Sequence, residues 1–370
     1  MTPLKITTRI LYRVLLTIGL VASPYAPAET APLSRADLVD ARQIDRQWRG
    51  PRSGPAAAPG KRILYLAQDF RNGGILGVAE GVREAVKAIG WQLDVVDLHG
   101  ADLADVDTCR RLLSLQPDGL VTAGVDARSN LSCLRQFQRL QIPVVGWHVG
   151  PDPGPISGTP VAMNVTTDNL AVARLAASVV VNSTPGQPTG VVIFTDGRFD
   201  IARRKADLLA AIIRRCEHCD LLAVEDISLA EIAFAGRAVA DDLLRRFGRR
   251  WTHSLAINDL YYDAIAPVLA LKGGARDQIQ NVSAGDGSRS AYLRIRLNSF
   301  QVATIPEPLW LQGWILVDEL NRLFAGESPD GYTLPVYLVD RANIDRHGGE
   351  RNVFDPDVNY RRVFREIWNR

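Results

Sequence analysis

The amino-acid sequence predicts an α/β protein of two similar lobes, each a doubly wound parallel sheet, joined by crossing hinge segments. Three observations carry this prediction. Short apolar runs alternate with helical-period segments of roughly 10–15 residues, the rhythm of parallel strands with helices on both faces. The rhythm halts at a Pro/Gly-rich connection, 151–160, and then starts again. Finally, about 310 of the 370 residues remain once the N-terminal segments are set aside, long for one core and comfortable for two.

In the first half, strand-like runs at 62–66, 92–98, 119–122 and 143–147 are separated by helical patterns at 74–89, 106–115 and 131–140. The first of these helices carries Ile75, Val78, Val82, Val86 and Ile89 at the spacing of one helix face. In the second half, helices at 170–181, 201–214, 230–247 and 261–271 alternate with strands at 191–195, 221–224, 254–257 and 281–284. Two further strand candidates, 301–305 and 334–339, flank a helix at 309–324. Right-handed crossovers place a ligand site at the carboxyl ends of such strands, so the strand-to-helix loops are where function is sought.

The N-terminus reads as an export signal. Lys5, Arg9 and Arg13 precede an apolar stretch, 14–22, and then Ala26-Pro27-Ala28, with cleavage expected after Ala28. The apolar run is far shorter than the roughly 20 residues of a membrane-spanning helix, so the product is expected to be soluble in the periplasm and not membrane-spanning. Removing residues 1–28 takes away three basic groups and no acidic one, moving the formal charge from +2 to −1. That balance argues against a nucleic-acid partner. Arg245-Arg246 and Arg249-Arg250 then read as a solvated helix end. Residues 29–60 are rich in Pro, Ala and Gly with little apolar periodicity, the composition of a flexible arm.

The strand-to-helix loops are polar and diverse: Gln68-Asp69-Phe70-Arg71-Asn72-Gly73-Gly74, Trp147-His148, Asp196-Gly197-Arg198-Phe199-Asp200, Asn258-Asp259 and Gly285-Asp286-Gly287-Ser288. Carboxylates, a guanidinium, amides, an imidazole and aromatics together suit a polyhydroxyl or zwitterionic small molecule. None of the loops has a Ser/His/Asp spacing or a nucleophile-elbow Gly-x-Ser-x-Gly. Five histidines scattered through the chain do not resemble a metal-hydrolase constellation. No catalytic residue, metal or cofactor is therefore expected. Singly, each loop residue reads as a helix cap, as Asp168 and Asp200 do; their joint occurrence carries the weight.

Several ordered fragments resemble the ribose-binding type of periplasmic binding protein, the type I fold shared with the ligand domains of lactose-repressor-like regulators. They are an opening strand with a Gly-containing first helix, Ile142-Pro143-Val144-Val145, Thr167-Asp168-Asn169, Ala202-Arg203, Asn258-Asp259, Gly285-Asp286-Gly287 and Ala303-Thr304-Ile305. The resemblance spans about 61–339. It implies a first lobe of 61–165 plus 306–333 and a second of 166–305 plus 334–370, the latter including a C-terminal helix. Crossings are implied near 164–167, 303–307 and 333–336. It also implies a hinge that closes on a small polar ligand, and a closed form delivered to the membrane permease of an ABC transporter. The family's contacts carry over to Asp69, Phe70, Arg71 and Asn72 on the first lobe. On the second they fall on Arg203, Asn258 and Asp286, with Glu307 near the hinge and Trp147 and His148 at the fourth strand end. Sugar binders have an aromatic pair in the first loop, where only Phe70 is aromatic here. They also have Asp-Arg after the fourth strand, where this chain has His148-Val149.

Two other readings compete. An exported accessory that reports ligand to a membrane sensor kinase would have the same fold. A nucleotide-dependent oxidoreductase is suggested by Asn72-Gly73-Gly74-Ile75-Leu76-Gly77 between a strand and a helix, with Asp97 ending the next strand, but the first glycine of that fingerprint is replaced by asparagine. The four cysteines suit an oxidising compartment. Cys109 and Cys133 lie on helices expected to be neighbours and are expected to pair. Cys216-Glu217-His218-Cys219 is expected to hold a local disulfide, with two reduced thiols as the alternative; for a metal it lacks a second ligand pair. Tyr360, Phe364 and Trp368 form one apolar helix face, expected to pack on a lobe or to dock a partner.

Overall fold

The structure is a computed structural model that describes residues 26, 29–43, 47–101, 103, 105–272, 279–348 and 351–369. The export signal expected at 1–28 lies, except for Ala26, outside the described residues. Among the described residues no helix is long and apolar enough to cross a membrane.

After α1 (Arg35–Ala41), the first lobe runs β1 (Arg62–Ala67), α2 (Gly73–Ile89), β2 (Gln92–Asp97), α3 (Val106–Ser114), β3 (Gly119–Ala123), α4 (Leu131–Arg139), β4 (Val144–Trp147) and β5 (Val161–Val165). The second lobe continues with α5 (Asn169–Ser183), β6 (Thr189–Thr195), α6 (Asp200–Arg214), β7 (Cys219–Asp226), α7 (Ile232–Phe247), β8 (His253–Ala256), α8 (Leu260–Leu271), β9 (Gln280–Ser283), α9 (Arg289–Arg296) and β10 (Gln301–Thr304). Helix α10 (Leu309–Phe324) returns to the first lobe. It is followed by β11 (Val339–Asp340), α11 (Ile344–His347) and α12 (Tyr360–Trp368).

Two sheets result, ordered β2-β1-β3-β4-β5 and β11-β10-β9-β8-β6-β7, parallel throughout except for the antiparallel β11, as the sequence predicts. Central strands are near-continuous apolar runs because helices cover both faces: β3 and β6 are buried at every position. Edge strands β2 and β7 keep Asp94, Asp220 and Glu225 in their sequences because one side meets solvent. In β1, Ile63, Tyr65 and Ala67 face α2 and α10, while Leu64 and Leu66 face α3 and α4, the period-two split of a strand between two layers. Cys109 on α3 and Cys133 on α4 are joined across that second layer, with Cα atoms 5.7 Å apart, and Cys216 is joined to Cys219.

The structure departs from expectation in four places. Val161–Val165 forms a strand, β5, that the sequence reading leaves unassigned between the connection at 151–160 and the helix at 170–181. The strand expected at 334–339 is only the two residues of β11; Pro335 cannot donate to a ladder and the segment crosses between lobes instead. The C-terminal helix assigned to the second lobe packs on the first, with Trp368 stacked on Trp314 at 5.3 Å and its Nε1 donating to Asp318 Oδ1 at 2.8 Å. The fourth departure is the arm, whose described residues 29–43 and 47–60 are docked rather than flexible. On the second lobe Leu38 of α1 enters the core, Leu33 N donates to Ser178 Oγ at 2.7 Å and Arg42 pairs with Asp340 at 2.6 Å. On the first lobe Trp48 packs against Tyr332 and Phe364, and Asn321 Nδ2 donates to the carbonyls of Pro55 and Ala56. Single anchors and backbone hydrogen bonds, not periodicity, hold it.

Candidate functional site

In each sheet the strand order reverses beside the first strand of the lobe, at β1/β3 and at β6/β8. At such points neighbouring loops diverge and leave a crevice beyond the carboxyl ends of the strands. The two crevices face each other and form one cleft of about 760 Å³, counting space open to solvent, lined from both lobes. The lobes are closed on it. Arg71 Nη1 donates to Ala230 O across the cleft at 3.3 Å, and Arg289 pairs with Glu80 at 3.4 Å. They also approach closely at Gly74, where a Cβ would lie 2.5 Å from Asp286 Oδ2. The glycines that suggested a dinucleotide fingerprint thus serve packing: Gly74 admits the opposite lobe, and a Cβ on Gly77 would meet Leu309 Cδ1 of α10 at 2.5 Å. Asn72 caps α2, accepting from Gly74 N at 2.9 Å.

The second-lobe wall is built from buried charge. Asp286 follows β9 and is 2% exposed; its Oδ2 accepts from Asn258 Nδ2, whose Oδ1 accepts from Leu260 N at 2.9 Å. Burial pushes the Asp286 carboxyl up to about 6, against the pull of His148 and Lys205. Lys205, on the inner face of α6, is 3% exposed. Among the described residues its ammonium has no hydrogen bond or ion pair, although Glu307, Asp286 and Asp259 lie near enough to act on it. Burial lowers its pKa. A buried cation without a direct partner is costly, and such groups are kept where a ligand or water completes them.

Beneath the cleft a hydrogen-bonded chain ties the fourth strand end to the hinge. His148 Nε2 meets Glu307 Oε1 at 2.7 Å, and Thr167 Oγ1 donates to the same oxygen at 3.0 Å. Gln312 Nε2 donates to Glu307 Oε2, while Gln312 Oε1 accepts from Trp147 Nε1 at 2.9 Å. Burial opposes ionisation of Glu307, but His148, Lys205 and Gln312 bring its carboxyl down to about 2. Trp147 and His148 stack at 3.8 Å, so one indole face is already covered. His148 (φ 53°) and Asp286 (φ 54°), at corresponding strand ends of the two lobes, both hold the left-handed backbone that non-glycine residues adopt at a cost, a feature concentrated at functional sites.

On the first lobe, Arg71 Nε donates to Asp69 Oδ1 at 2.9 Å, and the Arg71 side chain is 45% exposed. Of the residues expected at the site, Asp69, Arg71, Asn72, Trp147, His148, Asn258 and Asp286 line the cleft, and Glu307 stands behind His148. Two do not reach it. Phe70 turns inward to stack on Tyr65 at 6.3 Å. Arg203 points outward, donating to Gly197 O and pairing with Asp200. The cation in the cleft is Lys205, two residues on. Position decides this: Lys205 lies on the stripe of Ala202, Leu208, Leu209 and Ile212, all buried, whereas Arg203, two residues earlier, is about 160° round the helix. A lysine interrupting an apolar stripe was the signal in the sequence. Phe199, which lines the cleft from the second lobe, was also passed over.

Two parallel-sheet lobes closed over a buried polar cleft define a bilobed binding fold. The chain belongs to the periplasmic binding protein domain family, whose sequence model matches residues 63–328. Solved structures share the fold. A solute binding protein of an ABC transporter from Mycobacterium smegmatis, with bound glycerol, superposes with a TM-score of 0.69 at 19% identity over 80% of this chain and 99% of its own. The myo-inositol binding protein of Caulobacter, bound to myo-inositol, gives 0.65 at 13% over 79% and 97%. A chain of the XylFII–LytSN complex gives 0.65 at 15% over 77% and 100%. No curated protein matches the sequence.

Proposed function

We propose that this protein is exported, with cleavage after Ala28, and captures a small hydroxylated molecule by closing its lobes, delivering it to the permease of an ABC transporter. The observation that carries the reading is the pairing of Asp286 and Lys205 on the dry wall of the cleft. A carboxylate and an ammonium with no direct bond between them suit adjacent hydroxyls, one donating and one accepting, through charge-assisted hydrogen bonds. Asn258 orients Asp286, the Glu307 chain orients His148, and Asp69 with Arg71 closes the mouth. Relatives with bound glycerol and myo-inositol support a polyol or sugar-like ligand. Calorimetric titration with a panel of polyols and monosaccharides, guided by mass spectrometry of what co-purifies, tests this; a folded, ligand-free protein that binds none of them would overturn it.

A second reading, a sensing accessory that hands its closed form to a membrane kinase, is favoured by the relative solved in the XylFII–LytSN complex. Gene deletion separates the two. Lost uptake of labelled ligand supports delivery, whereas intact uptake with lost ligand-induced transcription supports sensing.

A further inference from the structure

Cys216, His218 and Cys219 stand where α6 ends and β7 begins, at the end of the second lobe opposite the cleft. Their sulfur and imidazole ligand atoms all lie within 4.8 Å of one another. Cys216 Sγ is 3.5 Å from Nδ1 and 3.6 Å from Nε2 of His218, over the face of the ring, while Nε2 lies 3.3 Å from the carbonyl oxygen of Val181. A carbonyl only accepts, so Nε2 carries the hydrogen and Nδ1 is left with its lone pair unprotonated in the ring plane. That is how metal-binding imidazoles are set, one nitrogen donating to a carbonyl and the other free to ligate. The turn is pinned: Cys219 N donates to Cys216 O at 3.1 Å, and Thr189 N to His218 O at 2.9 Å.

With metal–sulfur bonds of about 2.3 Å and metal–nitrogen bonds of about 2.05 Å, tetrahedral geometry puts sulfur and nitrogen about 3.6 Å apart. The Cys216–His218 separation of 3.5 Å has that length, but the sulfur stands over the ring, so the imidazole must turn to aim Nδ1 at a shared metal. The sulfurs, bonded to each other here, must also move apart to about 3.8 Å, within reach of side-chain rotation.

We propose that Cys216, Cys219 and Nδ1 of His218 form a redox-gated site for a borderline-soft divalent cation such as Zn²⁺, masked by the disulfide and assembled when a dithiol reductant opens it. The reductant supplies two electrons and two protons and becomes a disulfide itself. The two thiols then release two protons to the solvent as the metal binds, with water in the fourth position. The Cys109–Cys133 pair, with its cysteines 1% and 2% exposed between α3 and α4, is the less accessible of the two to reductant.

The test is anaerobic titration of the whole protein with Co²⁺, before and after treatment with a phosphine reductant. The expected result is one Co²⁺ per chain in the reduced protein only, with a thiolate charge-transfer band and the intense visible bands of tetrahedral cobalt. Cys216→Ser should abolish these bands. His218→Ala should weaken binding at least about tenfold and alter the visible bands. The double variant Cys109→Ala, Cys133→Ala should keep the reduced-state spectrum. Equal binding by oxidised protein, no bands in reduced protein whose thiols are alkylatable, an unchanged His218→Ala variant, or loss of the signal in the double variant would each overturn the proposal.

Discussion

Asp69 and Arg71 on the first lobe meet the cleft as an ion pair that solvent reaches, whereas Lys205, Asn258 and Asp286 on the second lobe meet it from the dry interior. The contrast is one of dielectric. An exposed pair is screened and contributes roughly 0–1 kcal/mol. A buried charge keeps its strength but must be completed by something. In the proposed reading the second lobe holds the preorganised half of the site and the first supplies a clasp that forms late, as the lobes meet. This division explains why the second wall tolerates an ammonium without a direct partner.

The largest expected effect is at the dry wall. Asp286→Ala and Lys205→Ala should each weaken binding about ten- to more than a hundredfold, since a hydrogen bond to a charged group is worth roughly 1.5–3 kcal/mol and 1.4 kcal/mol is a factor of ten. Lys205→Met sharpens the point. It fills the same space without the buried charge, so the ligand-free protein should melt at a higher temperature while affinity is lost; a variant that melts lower and binds normally would make Lys205 structural. Calorimetry and melting curves read both.

Next comes pH. The Asp286 carboxyl is raised to about 6 in the folded, ligand-free protein. Being raised above the usual 3.8, it adds stability below that value that is lost as pH rises through about 6. Affinity should run the other way, because only the ionised carboxylate accepts from a hydroxyl: binding should fall about tenfold from pH 7.5 to pH 5. Asp286→Asn should flatten the profile, and a wild-type affinity constant across that range would place the ligand elsewhere. Arg71→Ala should cost less, about three- to tenfold, expressed as faster dissociation and diminishing at high salt; an effect as large as that of Asp286→Ala would erase the proposed contrast. Smallest of all is Arg203→Ala, expected to change affinity less than about twofold, because its guanidinium is bound to Asp200 and Gly197 on the outer face of α6.

Much of this was legible in the sequence, and the exceptions share a cause. The alternation of apolar runs and helical stripes specified both sheets because each residue in them answers to a local rule of period. Loop residues Asp69, Asn258 and Asp286 could be placed because a strand end fixes where a loop begins. Arg203 and Phe70 failed because the choice between adjacent positions depends on helix rotation and on a partner distant in sequence, Tyr65 for the phenyl ring and Asp200 with Gly197 for the guanidinium. The docked arm was illegible for the same reason. Trp48 is one residue, and nothing in a window around it names Phe364 or Tyr332.

The docked arm alters what kind of joint the lobes share. Besides the three connections that follow β5, β10 and α10, the chain passes between lobes from α1 to Trp48 and again from Phe354 to Val358. Trp48, Pro308, Tyr332, Pro335, Pro356 and Val358 lie together around one crevice, so four of the five passages form a bundle, and three of those contribute a proline with φ held near −65°. A bundle of parallel, locally stiff ribbons behaves as a leaf-spring flexure, yielding to bending about one axis and resisting twist and shear. On the proposed closure, the empty form should sample a narrow arc of openings, leaving little orientational entropy to lose as the lobes meet. A larger share of each hydrogen bond formed in the cleft then appears as affinity.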